Sequence, residues 1–519
     1  MNVTGKDILI GVDAGTSVIK SIAFDIAGVQ IAAASAPNRY HTRPDGAAYQ
    51  SMDGAWEDCA KTLRDLADVV PGLAGRVAAI GVTGQGDGTW LIDRAGRPVT
   101  DAWLWLDGRA APTVRKLRAR DSDRARFETT GTGLNVCQQG AQLAHMLETT
   151  PEIVAAADTG FHCKDWLYFN LTGVRATDPS EACFTFGDFR TGRYDDAVIA
   201  TLGLERHRRL LPDILDSRKH WHGLTEHAAD VTGLNAGTPI ALACVDVVCT
   251  AFGAGIRSGG EAARCTIIGS TGMHMRACEA SDVYLNAERT GYTMVLPIDG
   301  LIAQMQSNMA ATLNIDWALT LVGELMAELG RPIARADLVS HMEGWIDAGE
   351  PGTVLFHPYI SRAGERGPFV NSNARASFAN LNSTHRFADL MRGIVEGLSL
   401  AARDCYAAMG ESRAEVRLCG GAGRSRALRS ILAAMLDAPV RTASREEAGA
   451  AGAAMSAAVS IGAYKTMDAA IAEWVAPTLG PAEPPDARLV KIYDRLYEAY
   501  VHTRGALGPV WDRMAAAQD

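Results

Sequence analysis

Ile8-Leu-Ile-Gly-Val-Asp-Ala-Gly-Thr-Ser-Val-Ile-Lys-Ser-Ile-Ala-Phe24 reads as strand, tight turn, strand. Ile8 to Val12 is a short apolar run, the pattern of a strand buried on both faces. Asp13 ends it. Ala14-Gly15-Thr16-Ser17 is turn chemistry, with a glycine able to take positive φ. Val18 to Phe24 resumes a β-branched pattern. A carboxylate therefore sits at the tip of a buried hairpin, beside a loop of small residues. Such a loop can aim backbone N–H groups at phosphate oxygens, and the carboxylate can hold a hydrated Mg²⁺ next to them. An ordinary hairpin with an Asp in its turn has the same local pattern.

The rest of the chain narrows the choice. Its 519 residues exceed one hydrophobic core and predict two or more domains. The formal charge of −10 leaves no surplus of Lys and Arg to neutralise phosphates, so no nucleic-acid partner is expected. None of the 10 cysteines has C-x-x-C spacing, which argues against zinc and thioredoxin-type sites. The N-terminus lacks the apolar run of a signal peptide, and no stretch reads as a membrane span. A soluble, cytoplasmic protein without a membrane partner is expected.

Asp53 is read as the N-cap of a helix running to about Val70. Val77 to Val82 is a buried strand delivering the glycine-rich loop 83–90, which carries Asp87. Trp103-Leu-Trp-Leu-Asp-Gly-Arg109 alternates aromatic bodies with a charged end. Loop 130–139 is polar, and its Gln138 and Gln139 either hydrogen-bond a ligand's hydroxyls or are plain loop amides. Pro239 to Asp246 reads as a strand ending in a carboxylate. Arg264 to Met275 then repeats strand, Gly/Ser/Thr turn, strand, without the Asp. A strand–turn–strand phosphate loop in each half predicts a repeated architecture with a boundary near residue 256. Val416 to Ser425 is a strand opening into a glycine turn. Helix 446–454 has small residues that permit close backbone approach.

The ordered series DAGTS, GQGDG, LWLDGR, a strand-end Asp, IIGSTG, GGAGRS and EEAGAAGAA resembles the FGGY carbohydrate kinases along essentially the whole chain. The resemblance implies two actin-like, ribonuclease H-like α/β ATPase domains around a central cleft, residues 1–256 and 257–519. It implies that Asp13 organises Mg²⁺ with Gly15, Thr16 and Ser17 at the phosphates. Gly269, Ser270, Thr271 and Gly272 would form the second phosphate loop. Gly420, Gly421 and Ala422, with Glu447 and Gly449 behind them, would line the adenosine pocket. Asp246 would be the general base, although a helix N-cap is the plain reading of an Asp at that place. Gly86, Asp87, Trp105 and Asp107 would touch the carbohydrate.

Two departures from the family pattern stand near the carbohydrate. Val245 and Val247 flank the base where many relatives have glycine before it and Asn or Gln after it. Gly86-Asp87 replaces the frequent Met-His or Arg-Glu, and Gly86 is read as leaving space in the pocket. Stretches 83–93, 244–255 and 269–275 look most similar to family members acting on erythritol. The resemblance thus implies a small polyol and ATP as ligands, erythritol first, with xylulose, ribulose or glycerol as alternatives. A homodimer is the candidate assembly. A non-catalytic nucleotide-binding sensor on the same fold is the alternative from another class. Among remaining residues, His274 is expected to pack in a strand and Lys164-Asp165 to form an ion pair. Arg362 and Arg366 are read as reaching either nucleotide phosphates or solvent.

Overall fold

A computed structural model describes residues 5–257, 263–410 and 412–517. The opening hairpin is β1 (Ile8–Ala14) and β2 (Val18–Asp25), continued by β3 (Gln30–Pro37). Asp13 lies inside β1 rather than beyond it, paired with Lys20. Gly15 is not among the residues with positive φ, so its turn does not use that freedom. Helix α1 (Met52–Val69) comes next. Its cap is Ser51, whose side chain accepts from the Gly54 N–H, and not Asp53, which lies in the first turn. β4 (Val77–Gly84), the short edge strand β5 (His222–Gly223) and β6 (Pro239–Leu242) complete a six-stranded sheet in the order β5-β6-β4-β1-β2-β3. Strands β1, β4 and β6 run parallel, whereas β1, β2 and β3 form an antiparallel meander.

The second sheet repeats this plan. β7 (Arg264–Ile268), β8 (Gly272–Glu279), β9 (Tyr292–Val295), β10 (Leu301–Asn308), β11 (Val416–Cys419) and β12 (Val440–Thr442) take the order β9-β10-β8-β7-β11-β12. Here β7, β8 and β10 are the meander, and β11 and β12 run parallel to β7.

Helices α2 (Pro179–Phe186) and α3 (Asp246–Gly253) flank the cleft, and α4 (Ala448–Ser460) lies on the first sheet although it comes late in the chain. The approach of α4 depends on missing side chains. A Cβ on Gly11 would lie 1.9 Å from the Ala450 carbonyl oxygen, and one on Gly81 1.9 Å from that of Ala453. Both contacts are with backbone, which has no room to yield. Helices α3 and α4, with Phe24, Trp474 and residues of β8 and β10, form the central apolar core joining the halves. Among the described residues no helix is long and apolar enough to cross a membrane. All ten cysteines are free thiols.

Candidate active site

A cavity of about 210 Å³ opens between the two sheets. The first half contributes Thr16, Gln85, Gly86, Asp87, Trp105, Val245 and Asp246 to its walls. The second contributes Thr271, Met273, Tyr292, Gln306, Asn308 and Arg366.

Asp246 opens α3. The strand before it ends at Leu242, so the carboxylate comes from the first helical residue and not from the strand end itself. Val245 occupies the cap position and has no side-chain cap bond, which leaves Asp246 unused as a cap. Its Oδ1 accepts the Val247 N–H at 2.7 Å. Burial, and then the charge of Asp13, push the Asp246 carboxyl well above the usual range, with Glu181 and Asp87 adding to the rise. Such a group is poised to take a proton.

Asp87 stands in a left-handed conformation, φ 57°, which an Asp tolerates better than most residues. Its backbone N–H donates to Glu181 Oε1 at 3.0 Å. Its Oδ2 accepts the Tyr292 hydroxyl at 2.8 Å and the Cys137 thiol at 3.2 Å. Its Oδ1 is buried without a partner among the described residues. A buried, unsatisfied carboxylate oxygen beside a cavity is a vacant acceptor for a ligand hydroxyl.

Lys164 lies behind this wall, fully buried. Its Nζ reaches Asp165 at 2.7 Å, Asp178 at 2.9 Å and Glu181 at 2.9 Å. The expected Lys164–Asp165 pair is thus one edge of a larger network that His162 joins at 3.1 Å from Asp165. Burial alone would lower the Lys164 ammonium, but the three carboxylates outweigh it and hold it well above its ordinary value. Burial raises Glu181 to about 7 against the pull of His162 and Lys164. The network fixes α2, and through Glu181 it fixes the Asp87 turn.

Trp105 donates its indole N–H to Thr16 Oγ1 at 2.7 Å, and the Thr16 hydroxyl donates to Gln85 Oε1 at 3.1 Å. The first turn and the loop that carries Asp87 are therefore one bonded unit. Asp13 presents a partly accessible carboxylate with no hydrogen bond among the described residues. Burial raises it to about 6, opposed by Lys20 and assisted by Glu447. One hard oxygen donor without a bonded partner suits a divalent ion that keeps most of its waters. The second turn is tied to a helix start: Ala311 N–H donates to Ser270 O at 2.7 Å, and Thr312 N–H to Gly269 O at 3.0 Å. A Cβ on Gly272 would meet the His274 ring at 3.1 Å, and His274 itself is buried in β8, bonded to Asn308. Gly420 takes φ 90°, and a Cβ there would lie 2.5 Å from the Ile268 carbonyl oxygen, while Gly421 faces open space and Ala422 packs on the second core.

Several expected roles change. Asp107 is buried away from the cavity: Oδ2 accepts the Ala48 N–H at 2.9 Å and Arg109 pairs with it at 2.6 Å. Its charge is spent on the turn, because Arg109 also lies 3.4 Å over the Trp103 ring and holds it there. Gln138 and Gln139 are buried, and their amides donate to the carbonyls of Gly133 (3.0 Å) and Phe161 (2.7 Å). Neither lines the cavity. Glu447 and Gly449 stand beside Asp13: Glu447 pairs with Lys20 at 2.9 Å, and a Cβ on Gly449 would stand 2.2 Å from Asp13 Oδ2. Gly86 leaves no vacancy, since a Cβ there would come 2.5 Å from Val245 Cγ2.

Arg366 is partly accessible and stands in the cavity wall, with Nε on Met309 Sδ at 2.8 Å and Nη1 at 3.7 Å from Cys137 Sγ. Glu365 aims it by accepting the Met309 and Arg366 N–H groups at 3.0 Å each. Arg362 is exposed. Tyr292, Cys137 and Glu181 escape sequence reasoning: Cys137 lies in the loop 130–139 beside Gln138 and Gln139, which draw the attention instead, and Tyr292 and Glu181 have no motif of their own. The signal available for Tyr292 is its place on an edge strand two positions after Thr290, with no motif around it.

A family model for the N-terminal domain of the FGGY carbohydrate kinases matches residues 8–253, and one for the C-terminal domain matches residues 265–461. Erythritol kinase of Brucella abortus is 57% identical over 512 residues, covering 99% of this chain and 98% of the relative. Xylulose kinase of Staphylococcus epidermidis is 25% identical, covering 95% of this chain and 96% of its own. Among solved structures, ligand-bound xylulose kinase from Lactobacillus acidophilus aligns with a TM-score of 0.87 at 19% identity, covering 98% of this chain and 99% of that one. Glycerol kinase of Plasmodium falciparum with ADP aligns with a TM-score of 0.82 at 18% identity, covering 96% and 98%. These two share the fold of this chain. With both domain models matched in order and a near full-length relative above half identity, the chain belongs to the FGGY family of carbohydrate kinases.

Proposed function

We propose that the protein transfers the γ-phosphoryl group of ATP to a terminal hydroxyl of erythritol, giving erythritol 4-phosphate and ADP, in the cytoplasm. The full-length likeness to an erythritol kinase carries the choice of acceptor. A base-competent carboxylate and a vacant carboxylate oxygen in one cavity support the chemistry. Asp87 Oδ1 accepts an acceptor hydroxyl, and Trp105 walls the site. Asp246 takes the proton as the terminal hydroxyl forms its O–P bond and the bond to the bridging oxygen of ADP breaks. Positioning and charge neutralisation supply most of the catalysis in such transfers. Gly15, Thr16 and Ser17 on one side and Gly269, Ser270, Thr271 and Gly272 on the other cradle the phosphates, with Gly420, Gly421 and Ala422 at the adenosine. Asp13 would hold Mg²⁺, which neutralises charge on the transferring group. Residues 1–256 and 257–519 act as the two functional halves.

A coupled ADP-release assay across tetritols, pentitols, glycerol and ketopentoses tests this. Erythritol is expected to give the highest kcat/KM. A ketopentose or glycerol turned over faster overturns the acceptor, and ADP release that no acceptor stimulates overturns the kinase in favour of a nucleotide sensor.

A further inference from the structure

The space above Gly86 is filled from across the cleft floor. A Cβ on Gly86 would lie 2.5 Å from Val245 Cγ2 and 3.3 Å from Glu181 Oε1. Val245 is buried and lines the same cavity as Asp87, immediately before the base. It has little freedom to retreat. Its backbone N–H donates to Ser180 Oγ at 3.1 Å, and a β-branched side chain has few χ1 choices. Ser180 and Glu181 are in turn held by the Lys164 network. Gly86 and Val245 thus occupy one volume between them: the glycine is required because the valine is there.

We propose that Val245 is the size-determining wall of the acceptor site, limiting it to a four-carbon chain, and that Gly86 is its obligate complement. The inference rests on reading this cavity as the acceptor site. The chemistry of exclusion is direct. An acceptor one carbon longer must place a further CHOH group where the Val245 methyls stand. That hydroxyl meets the Val245 methyls on this side, and the nearby Glu181 Oε1 already accepts the Asp87 N–H, so its burial is penalised as well as crowded.

The test compares kcat/KM for erythritol with kcat/KM for ribitol, xylitol and arabitol in wild type, V245A, V245G, G86A and the double variant G86A/V245G. In V245A the best pentitol-to-erythritol ratio is expected to rise about tenfold or more, the discrimination one methylene usually carries. G86A alone is expected to lose activity on erythritol, and G86A/V245G to recover part of it, so that the two effects are not additive. A selectivity ratio is unmoved by a loss of folded protein, so a purely structural role for Val245 predicts no change in it. Should V245G fail to fold, V245A and G86A/V245A carry the same comparison. An unchanged ratio in V245A, or additive effects in the double variant, overturns the proposal. Failure of wild type on erythritol would instead overturn the acceptor named above; the ratio is then read for its best acceptor against the homologue one carbon longer.

Discussion

In the first hairpin the pair one step before the end of the ladder is Asp13 across from Lys20; in the second, the corresponding pair is Ile267 across from Met273. Both hairpins are the first two strands of a meander at the centre of a six-stranded sheet, and both turns end at the cleft. One carries a carboxylate, and the other keeps the same position apolar and packs it on the central core. The difference comes from what surrounds each. Asp13 is accommodated because Gly449 offers no Cβ and because Lys20 and Glu447 form an ion pair beside it. Ile267 is paired on its other side with Cys419 and packs against the central apolar core. A repeated backbone thus carries unlike side chains: the fold supplies two similar turns at the cleft, and the first alone of the two bears at this position the carboxylate we propose for Mg²⁺.

The largest effect is expected at the residue both hairpins serve. Asp246→Asn should lower kcat by about 10²–10⁴-fold with nucleotide binding little changed. Its raised carboxyl also sets a pH dependence. The base must be ionised, so kcat/KM should climb with pH through an acid limb well above the usual carboxylate range, and that limb should vanish in the Asn variant. Next, Asp13→Ala should cost about 10²–10³-fold in turnover and flatten the Mg²⁺ titration, because the several kcal/mol a catalytic metal provides are lost. Ile267→Ala, its counterpart, should leave the Mg²⁺ titration unchanged and lower only stability. An equal change in Mg²⁺ dependence for both would erase the asymmetry.

Gly449→Ala sharpens the contrast without removing a charge. Its Cβ would strike the Asp13 carboxylate, and overpacking of this kind costs about 1–3 kcal/mol. A rise of about 5–150-fold in the Mg²⁺ needed for half-maximal rate is expected, measured by metal titration at saturating ATP. The smallest effects are expected at the turn hydroxyls. Thr271→Val should raise KM for ATP by about 2–10-fold, the worth of one neutral hydrogen bond. Thr16→Val should do so while also disturbing acceptor KM, because the Thr16 hydroxyl is bonded to Trp105 and Gln85. A Thr16 variant that leaves acceptor KM alone would separate the two sites that the structure joins.

The elements legible in the sequence are those with a local signature. Both hairpins, the strand at Val77, the glycine turn after Cys419 and the small-residue helix arise from alternation, turn chemistry and residue size. Asp13, Asp87, Trp105 and Asp246 are conspicuous because they stand at the ends of such elements. What stays hidden depends on contacts across long sequence separations. Tyr292 bonds Asp87 from 205 residues away, and nothing local marks it. The closeness of Gly449 to Asp13 is invisible locally because the two lie at opposite ends of the chain. Asp107 looks available because a carboxylate beside aromatics resembles a sugar site, whereas Arg109 two residues on and the Ala48 N–H consume it. Gly86 reads as an absence of bulk, although the bulk stands on Val245 instead.

The position of α4 limits how this protein can be taken apart. Residues 448–460 come from the second half of the chain yet cover β1 and β4 of the first sheet, pressed on Gly11 and Gly81. A fragment ending near residue 256 would therefore keep all six strands of its sheet and lose the lid over its glycine stripe. It would expose apolar backbone-rich surface with no side chains to shield it. The expected behaviour of such a fragment is aggregation during expression, relieved by supplying residues 448–475 on the same polypeptide. Duplicated topology here does not mean separable modules: the first sheet borrows its covering from a segment made hundreds of residues later, so it cannot finish folding on the ribosome until nearly the whole chain has emerged.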